Sequence, residues 1–167
     1  MSNWHRLERT QFVARPREEV FAFFSDARNL EQITPAFLQF RVLNEGATGV
    51  HAGMLIDYRL KLFGIPLRWQ SQIEAFEPGE QFVDVQLRGP YRTWRHLHEF
   101  RDAPGGTQMI DRVDYALPFG PLGSLAHALF VRRTLGKIFD FRREKIEELF
   151  GSGFNAGADS ARSETLA

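Results

Sequence analysis

Two histidines, His96 and His98, stand two residues apart in a stretch, Thr93 to Phe100, where Trp94, His96, His98 and Phe100 alternate with Arg95, Leu97 and Glu99. On a strand, residues i and i+2 share a face, so both imidazoles point the same way. The next alternating stretch, Thr107 to Leu117, carries Asp111 in phase with Met109, Val113 and Tyr115. Opposed side chains on paired strands stand about 5 Å apart, which joins His96, His98 and Asp111 into one polar island. Asp84 and Gln86, on the stretch before, are its further candidate members. A buried carboxylate must be paired or protonated, and an imidazole is its natural partner.

Three chemistries fit such an island. It can pin strand register as a satisfied polar network. It can orient a ligand at the end of an apolar pocket. Or it can do acid/base work, with His96 or His98 as general base, Asp111 orienting it, and Tyr115 or Tyr58 polarising a carbonyl. The His-x-His pair also has the donor type of a metal site. Without a recognisable third and fourth ligand it assigns none, and no cofactor is expected.

The elements that position these groups follow from period and punctuation. Leu7 to Val13 is β-compatible and ends before Pro16. Pro16 suits the first turn of a helix, with Glu18 and Glu19 at its positive end and Val20, Phe21, Phe23 and Phe24 at helical spacing. Ser25 or Asp26 ends that helix and caps a second short one, Ala27 to Ile33, which Thr34-Pro35 stops. The period then changes to two. Strands are expected over Phe37 to Leu43, Gly53 to Phe63, Leu67 to Glu74, Gln81 to Arg88, Thr93 to Phe100 and Thr107 to Leu117, with turns at Asn44-Glu45-Gly46, Gly64 to Pro66, Pro78-Gly79, Gly89-Pro90 and Gly105-Gly106. Leu117 to Gly123 is an apolar loop. Ser124 to Phe150 lacks proline and reads as one helix of about 26 residues, ~39 Å long. Its inward stripe is read as Leu125, Leu129, Ile138, Phe139, Ile146 and Leu149. Its wet side is read as Arg132, Arg133, Lys137, Arg142, Lys145, Glu147 and Glu148.

The chain's 167 residues suit one domain, 1–150, with 151–167 as a flexible tail. Lys+Arg and Asp+Glu are 21 each, so no global field recruits nucleic acid or an acidic membrane. No cysteine is present, which excludes disulfides, thiolate metal sites and a cysteine nucleophile. No window reaches the ~18 apolar residues of a membrane span, and no signal peptide is read. A cytoplasmic protein, monomer or homodimer, without stable membrane insertion is the expectation. No Gly-x-Ser-x-Gly elbow occurs, and Gly120-x-x-Gly123-Ser124 lacks the lysine and spacing of a phosphate loop.

Consecutive strands joined by short turns pair antiparallel, so the class is α+β. Seven of them make a curved antiparallel sheet whose inner face only the long C-terminal helix can cover. A single rod in a curved sheet leaves a hollow, and the 16 phenylalanines are its expected wall. The element order resembles the helix-grip fold of the START and Bet v 1-like (SRPBCC) superfamily, whose bacterial branches are described as polyketide cyclase/dehydrase-like or coenzyme Q-binding-like. The resemblance covers about residues 5 to 150. It rests on the opening strand, the Pro16-x-Glu18-x-Val20-Phe21 helix, Asp26-x-x-Asn29-Leu30, Pro35, and the run Gly89-Pro90-Tyr91-x-x-Trp94-x-His96-x-His98-x-Phe100 with Gly106-Thr107, Asp111 and Asp114-Tyr115. It implies a cavity for lipids, sterols, quinones, polyketides or hormones, with no fixed catalytic motif.

Alternation then names the expected lining: Met54, Ile56, Tyr58, Leu60, Trp69, Ser71, Ile73, Asp84, Gln86, Trp94, His96, His98, Asp111, Val113 and Tyr115, with Leu129 and Phe139 from the helix. The fifth strand stays open between Phe82/Asp84/Gln86 and Val83/Val85/Leu87. The expected function is binding of a small hydrophobic, cyclic or aromatic molecule, since ten buried CH₂ groups contribute ~8 kcal/mol before association costs. The alternatives are a cyclase or dehydratase in the same cavity, and an interaction module that uses the apolar loops 62–67 and 117–122.

Overall fold

The computed structural model describes residues 4–44, 49–118 and 127–151, together with residues 120, 122 and 125. Strand β1 spans Trp4–Val13, and helix α1 spans Arg17–Phe24. Two 3-10 turns follow, Ala27–Glu31 and Ala36–Leu38. Then come β2 (Arg41–Val42), β3 (Leu55–Leu62), β4 (Ile65–Glu77), β5 (Gln81–Arg88), β6 (Thr93–Ala103) and β7 (Gly106–Ala116). A π-helical turn, His127–Val131, leads into helix α2, Arg132–Phe150. The seven strands form one sheet in the order β1-β7-β6-β5-β4-β3-β2, and every pairing is antiparallel.

Local chemistry sets the boundaries. Pro16 precedes α1, and the Asp26 side chain accepts from the Arg28 amide to cap the first 3-10 turn. The strand expected over Phe37 to Leu43 is only the two residues of β2. Ala36–Leu38 coils instead, and Gln39 turns the chain with a φ of 43°. The β3–β4 hairpin closes on Phe63-Gly64, both at positive φ (51° and 78°). That geometry suits the right-handed twist of the flanking strands, and it brings Pro66 into β4 opposite Lys61 rather than leaving it in a connection. Two register shifts in β4, at Gln70/Ser71 and Ile73/Ala75, mark bulges that add twist to the sheet.

The helix differs from expectation in its inward face. The residues of α2 that become buried are Leu135, Phe139, Arg142 and Ile146, at spacings of four, three and four. Leu125, Leu129 and Leu149 are exposed. Leu129 lies six residues before Leu135, about 120° away around a helix at 100° per residue. Arg142, expected on the wet side, is only 9% exposed. The expected helix start at Ser124, the Gly120-x-x-Gly123-Ser124 turn as a whole and the tail after Gly151 lie outside the described residues. α2 is held to β1 by the Gln11 amide donating to the Arg143 carbonyl at 3.0 Å and by Arg9 facing Asp140 at 3.6 Å.

Two cores result. One gathers α1, β3, β4, β5, the hairpin side of β6 and the C-terminal half of α2 around Phe21, Phe24, Ile73, Phe82, Phe100 and Ile146. The other gathers Val113, Tyr115, Leu135 and Phe139, with Tyr91 and Trp94 against them.

Candidate ligand-binding site

A cavity of about 160 Å³ borders both cores. Its wall is mostly apolar and aromatic: Phe24, Phe40, Tyr58, Trp69, Phe82, Tyr91, Trp94 and Phe139 with aliphatic residues from every layer. Of the residues expected from alternation, Ile56, Tyr58, Leu60, Trp69, Ser71, Ile73, Asp84, Trp94, His96, His98 and Phe139 line it. β5 resolves in favour of the Phe82/Asp84 phase, although Val83 is also buried.

Six expected liners do not reach the wall. Met54 packs at the edge of the first core, before β3 begins. Gln86 turns to the β5–β6 loop, where its amide donates to the Tyr91 carbonyl at 2.7 Å and accepts from the Tyr91 amide at 3.3 Å. A Cβ at Gly89 would come within 2.4 Å of the Gln86 side-chain oxygen, so a larger residue there would make Gln86 shift from these bonds. Val113 and Tyr115 are buried in the second core, and Asp111 stands behind the histidines. Leu129 is 55% exposed. Sequence reasoning missed Arg142, which lines the cavity, and also Phe24, Leu38 and Leu135, while Ile138, expected on the inward stripe of the helix, lines it too. The signal was available: Arg142 falls on the 135-139-146 stripe, and its charge argued against reading it there.

The polar end of the cavity is a ring of four groups on three neighbouring strands. Asp84 pairs with His96, His96 with Val113, and His98 with Asp111, so the register fixes all four side chains on one face. His96 Nε2 lies 2.9 Å from Asp111 Oδ1, and His98 Nε2 lies 3.1 Å from Asp84 Oδ2. His98 Nδ1 lies 2.9 Å from the same Asp111 Oδ1, off the line of a hydrogen bond, and His96 Nδ1 lies 3.6 Å from Asp84 Oδ2. The Trp69 indole donates to Ser71 Oγ at 3.0 Å, and Ser71 reaches Asp84 Oδ1 at 3.4 Å. Phe82 stacks on His98 with ring centroids 4.4 Å apart.

These contacts split the two histidines. Burial alone would drive the proton off His98, but the Asp111 and Asp84 carboxylates outweigh it and raise the group above its ordinary value. Burial and the neighbouring His98 charge lower His96, and the aspartates do not make up the difference. Burial opposes ionisation of Asp111, yet its contacts with His96 and His98 hold it far below the usual carboxylate range. Asp84 is lowered for the same reason, by the His98 hydrogen bond and the His96 charge. Burial, with the charge of Asp84, pushes the Tyr58 hydroxyl up. The two imidazoles are therefore pushed in opposite directions, His98 toward holding a second ring proton and His96 toward the neutral form.

Asp84, His96 and His98 also present donor atoms within 4.8 Å of one another. Bonds of about 2.1 Å around a tetrahedral ion set edges of about 3.4 Å; His98 Nε2 and His96 Nδ1 stand 3.1 and 3.6 Å from Asp84 Oδ2, so a metal there would have to replace the hydrogen bond between Asp84 and His98.

The family model for polyketide cyclase/dehydrase and lipid transport matches residues 13–141. The chain belongs to that family. Among solved structures, this family member is similar to protein CV1439 from Chromobacterium violaceum (14% identity, TM-score 0.65, 90% of this chain and 99% of that one). It is similar to ginseng major latex-like protein 151 from Panax ginseng (11%, 0.62, 88% and 97%). It also matches part of a nucleoside-diphosphate sugar epimerase from Corynebacterium glutamicum (24%, 0.61, 85% of this chain and 28% of that one). Identities this low establish a shared helix-grip fold. No curated protein sequence matches significantly. No helix among the described residues is long and apolar enough to cross a membrane.

Proposed function

We propose that this family member binds a small hydrophobic molecule, cyclic or aromatic, in the cavity between sheet and α2, and carries or sequesters it. The observation that carries this reading is an aromatic cavity with its polar groups gathered at one end. Such a wall gives affinity through burial and orientation through a few placed donors and acceptors. At about 160 Å³ the cavity is close to the ~150 Å³ of apolar cavities that stay dry and take up benzene. A guest of one or two rings suits it. Family membership supports the reading at the level of a hydrophobic-ligand domain.

Native mass spectrometry of the purified protein tests it. An apolar adduct, or saturable quenching of Trp69 and Trp94 by an added aromatic probe, is the expected result. No adduct and no saturable quenching with any aromatic probe would remove the reading.

A second reading is favoured by one feature, two adjacent imidazoles at the cavity wall whose surroundings push their proton affinities in opposite directions, His98 up and His96 down. Groups whose environments push them apart are suited to paired acid/base work, as a cyclase or dehydratase would need. In that case His96→Ala abolishes turnover while probe binding survives. A change in affinity with no turnover found for any cyclisable substrate would leave binding alone.

A further inference from the structure

Arg142 is a cation buried in the apolar stripe of α2, between Phe139 and Ile146, and it borders the cavity. Its Nε and Nη1 are buried and have no hydrogen-bond partner. The nearest carboxylate oxygen, Asp111 Oδ1, is 4.0 Å from Nη1. That oxygen already takes His96 Nε2 and has His98 Nδ1 against it, both at 2.9 Å. Asp84, the other carboxylate of the ring, is engaged by His98 and Ser71. The Phe139 ring lies 4.9 Å from the guanidinium carbon and supports it from one side. Carboxylates therefore stand near the guanidinium, but none accepts a hydrogen bond from its Nε or Nη1. A buried guanidinium with unused donors is costly, and a partner that supplies acceptor oxygens relieves the cost.

We propose that the guest is an organic acid: a ring-bearing molecule whose carboxylate, or similarly acidic hydroxyl, pairs with Arg142 while its ring fills the aromatic wall. This rests on the binding reading above and narrows its ligand class. An anionic oxygen is favoured over a neutral carbonyl because it adds ion pairing to the hydrogen bond from the guanidinium, and a carboxylate offers the planar arginine two oxygens at once.

Three probes of one shape test it: 2-naphthoate, 2-acetylnaphthalene and 2-ethylnaphthalene, titrated by calorimetry and tryptophan fluorescence. The full chain is expected to bind the carboxylate at least tenfold tighter than either neutral probe. Arg142→Met should remove that preference and leave 2-ethylnaphthalene within threefold of its native affinity. Arg142→Lys, a point charge without the fork, should keep part of it. Equal or tighter binding of 2-acetylnaphthalene by the native chain overturns the acid class in favour of a neutral acceptor. A carboxylate preference that survives in Arg142→Met assigns the anion to another group and overturns the role of Arg142. If Arg142→Met does not fold, the native ranking and Arg142→Lys decide. Binding of the neutral probes without carboxylate preference leaves the cavity reading intact and ends this one. Binding of no probe ends both.

Discussion

Asp111 does more for the site than its absence from the cavity wall suggests. It is 2% exposed, and its Oδ1 serves both imidazoles. Asp111→Asn keeps the shape and removes the charge, so His98 loses the larger of its two carboxylate supports. Breaking a buried pair at one partner costs about 3 kcal/mol or more, and a denaturant titration should show a loss of that size. In the native chain, NMR titration should find His98 above the ordinary histidine value and His96 below it. In Asp111→Asn, His98 should fall. A native His98 that titrates at or below 6.5 would refute the arrangement. The pH dependence of stability follows from the same directions. The stabilisation from the raised His98 is complete below the unfolded value of about 6.5, and is lost as the pH rises through the higher folded value. Asp84 and Asp111 contribute fully above about 4, and their share is lost as the pH falls through their lowered folded values. The depressed His96 makes stability climb with pH up to about 6.5. Stability should therefore peak near or just above pH 6.5 and decline on both sides, which urea midpoints across pH 3 to 9 would check. The histidines and Asp111 were legible in the sequence because strand alternation has a strict period of two, so type and phase together placed them. Arg142 was not, because a charge on an amphipathic helix is read as solvated unless its stripe position is weighed against its type.

At the level of the element, α2 has two separable jobs, to seal the fold and to wall the cavity. Ile146 is fully buried in the first core and is not a cavity liner, whereas Leu135 is buried in the second core and lines the cavity. Truncation of either to alanine should cost about 2–5 kcal/mol of unfolding free energy. Only Leu135→Ala should enlarge the hollow, so only it should shift probe preference from one ring toward two. Equal shifts in both variants would show that the helix does not bound the site at Leu135. The sheet was the more legible part of the fold, since turn residues punctuate each hairpin and the third, fourth, sixth and seventh strands bury the expected phase. Its failures are physical. β2 is short because Pro35 and the positive φ of Gln39 coil the chain where apolar residues suggested a strand. Alternation does not decide the phase of β5 because the Phe82/Asp84/Gln86 face is mixed and the Val83/Val85/Leu87 face is apolar, and in the structure both Phe82 and Val83 are buried. Leu125, Leu129 and Leu149 are apolar but exposed, so residue type alone gives the wrong inward face at the two ends of the helical stretch.

For the molecule as a whole, the cavity has walls from two cores that sit on different parts of the sheet. Phe24, Ile56, Ile73 and Phe82 come from one, and Leu135, Phe139, Tyr91 and Trp94 belong to or pack against the other. An empty hollow forfeits dispersion contacts on both sides at once, so a guest should couple them. Strands β6, β7 and β1 pair along almost their full lengths, with β1 and β7 in register from Trp4↔Ala116 to Val13↔Thr107. Their amides should exchange slowest with or without ligand. The amides of α2, by contrast, should gain protection when the cavity fills, since local openings that part helix from sheet would first have to release the guest. At a ligand concentration of a hundred times Kd, mass action adds about 2.7 kcal/mol to global stability. Hydrogen exchange and thermal unfolding on the same sample separate this from surface binding. A raised Tm with new protection in both α2 and the Trp69–Trp94 wall fits a guest held between the cores. A raised Tm with protection on one side only would place the ligand elsewhere, and the cavity would then be a packing defect of the fold.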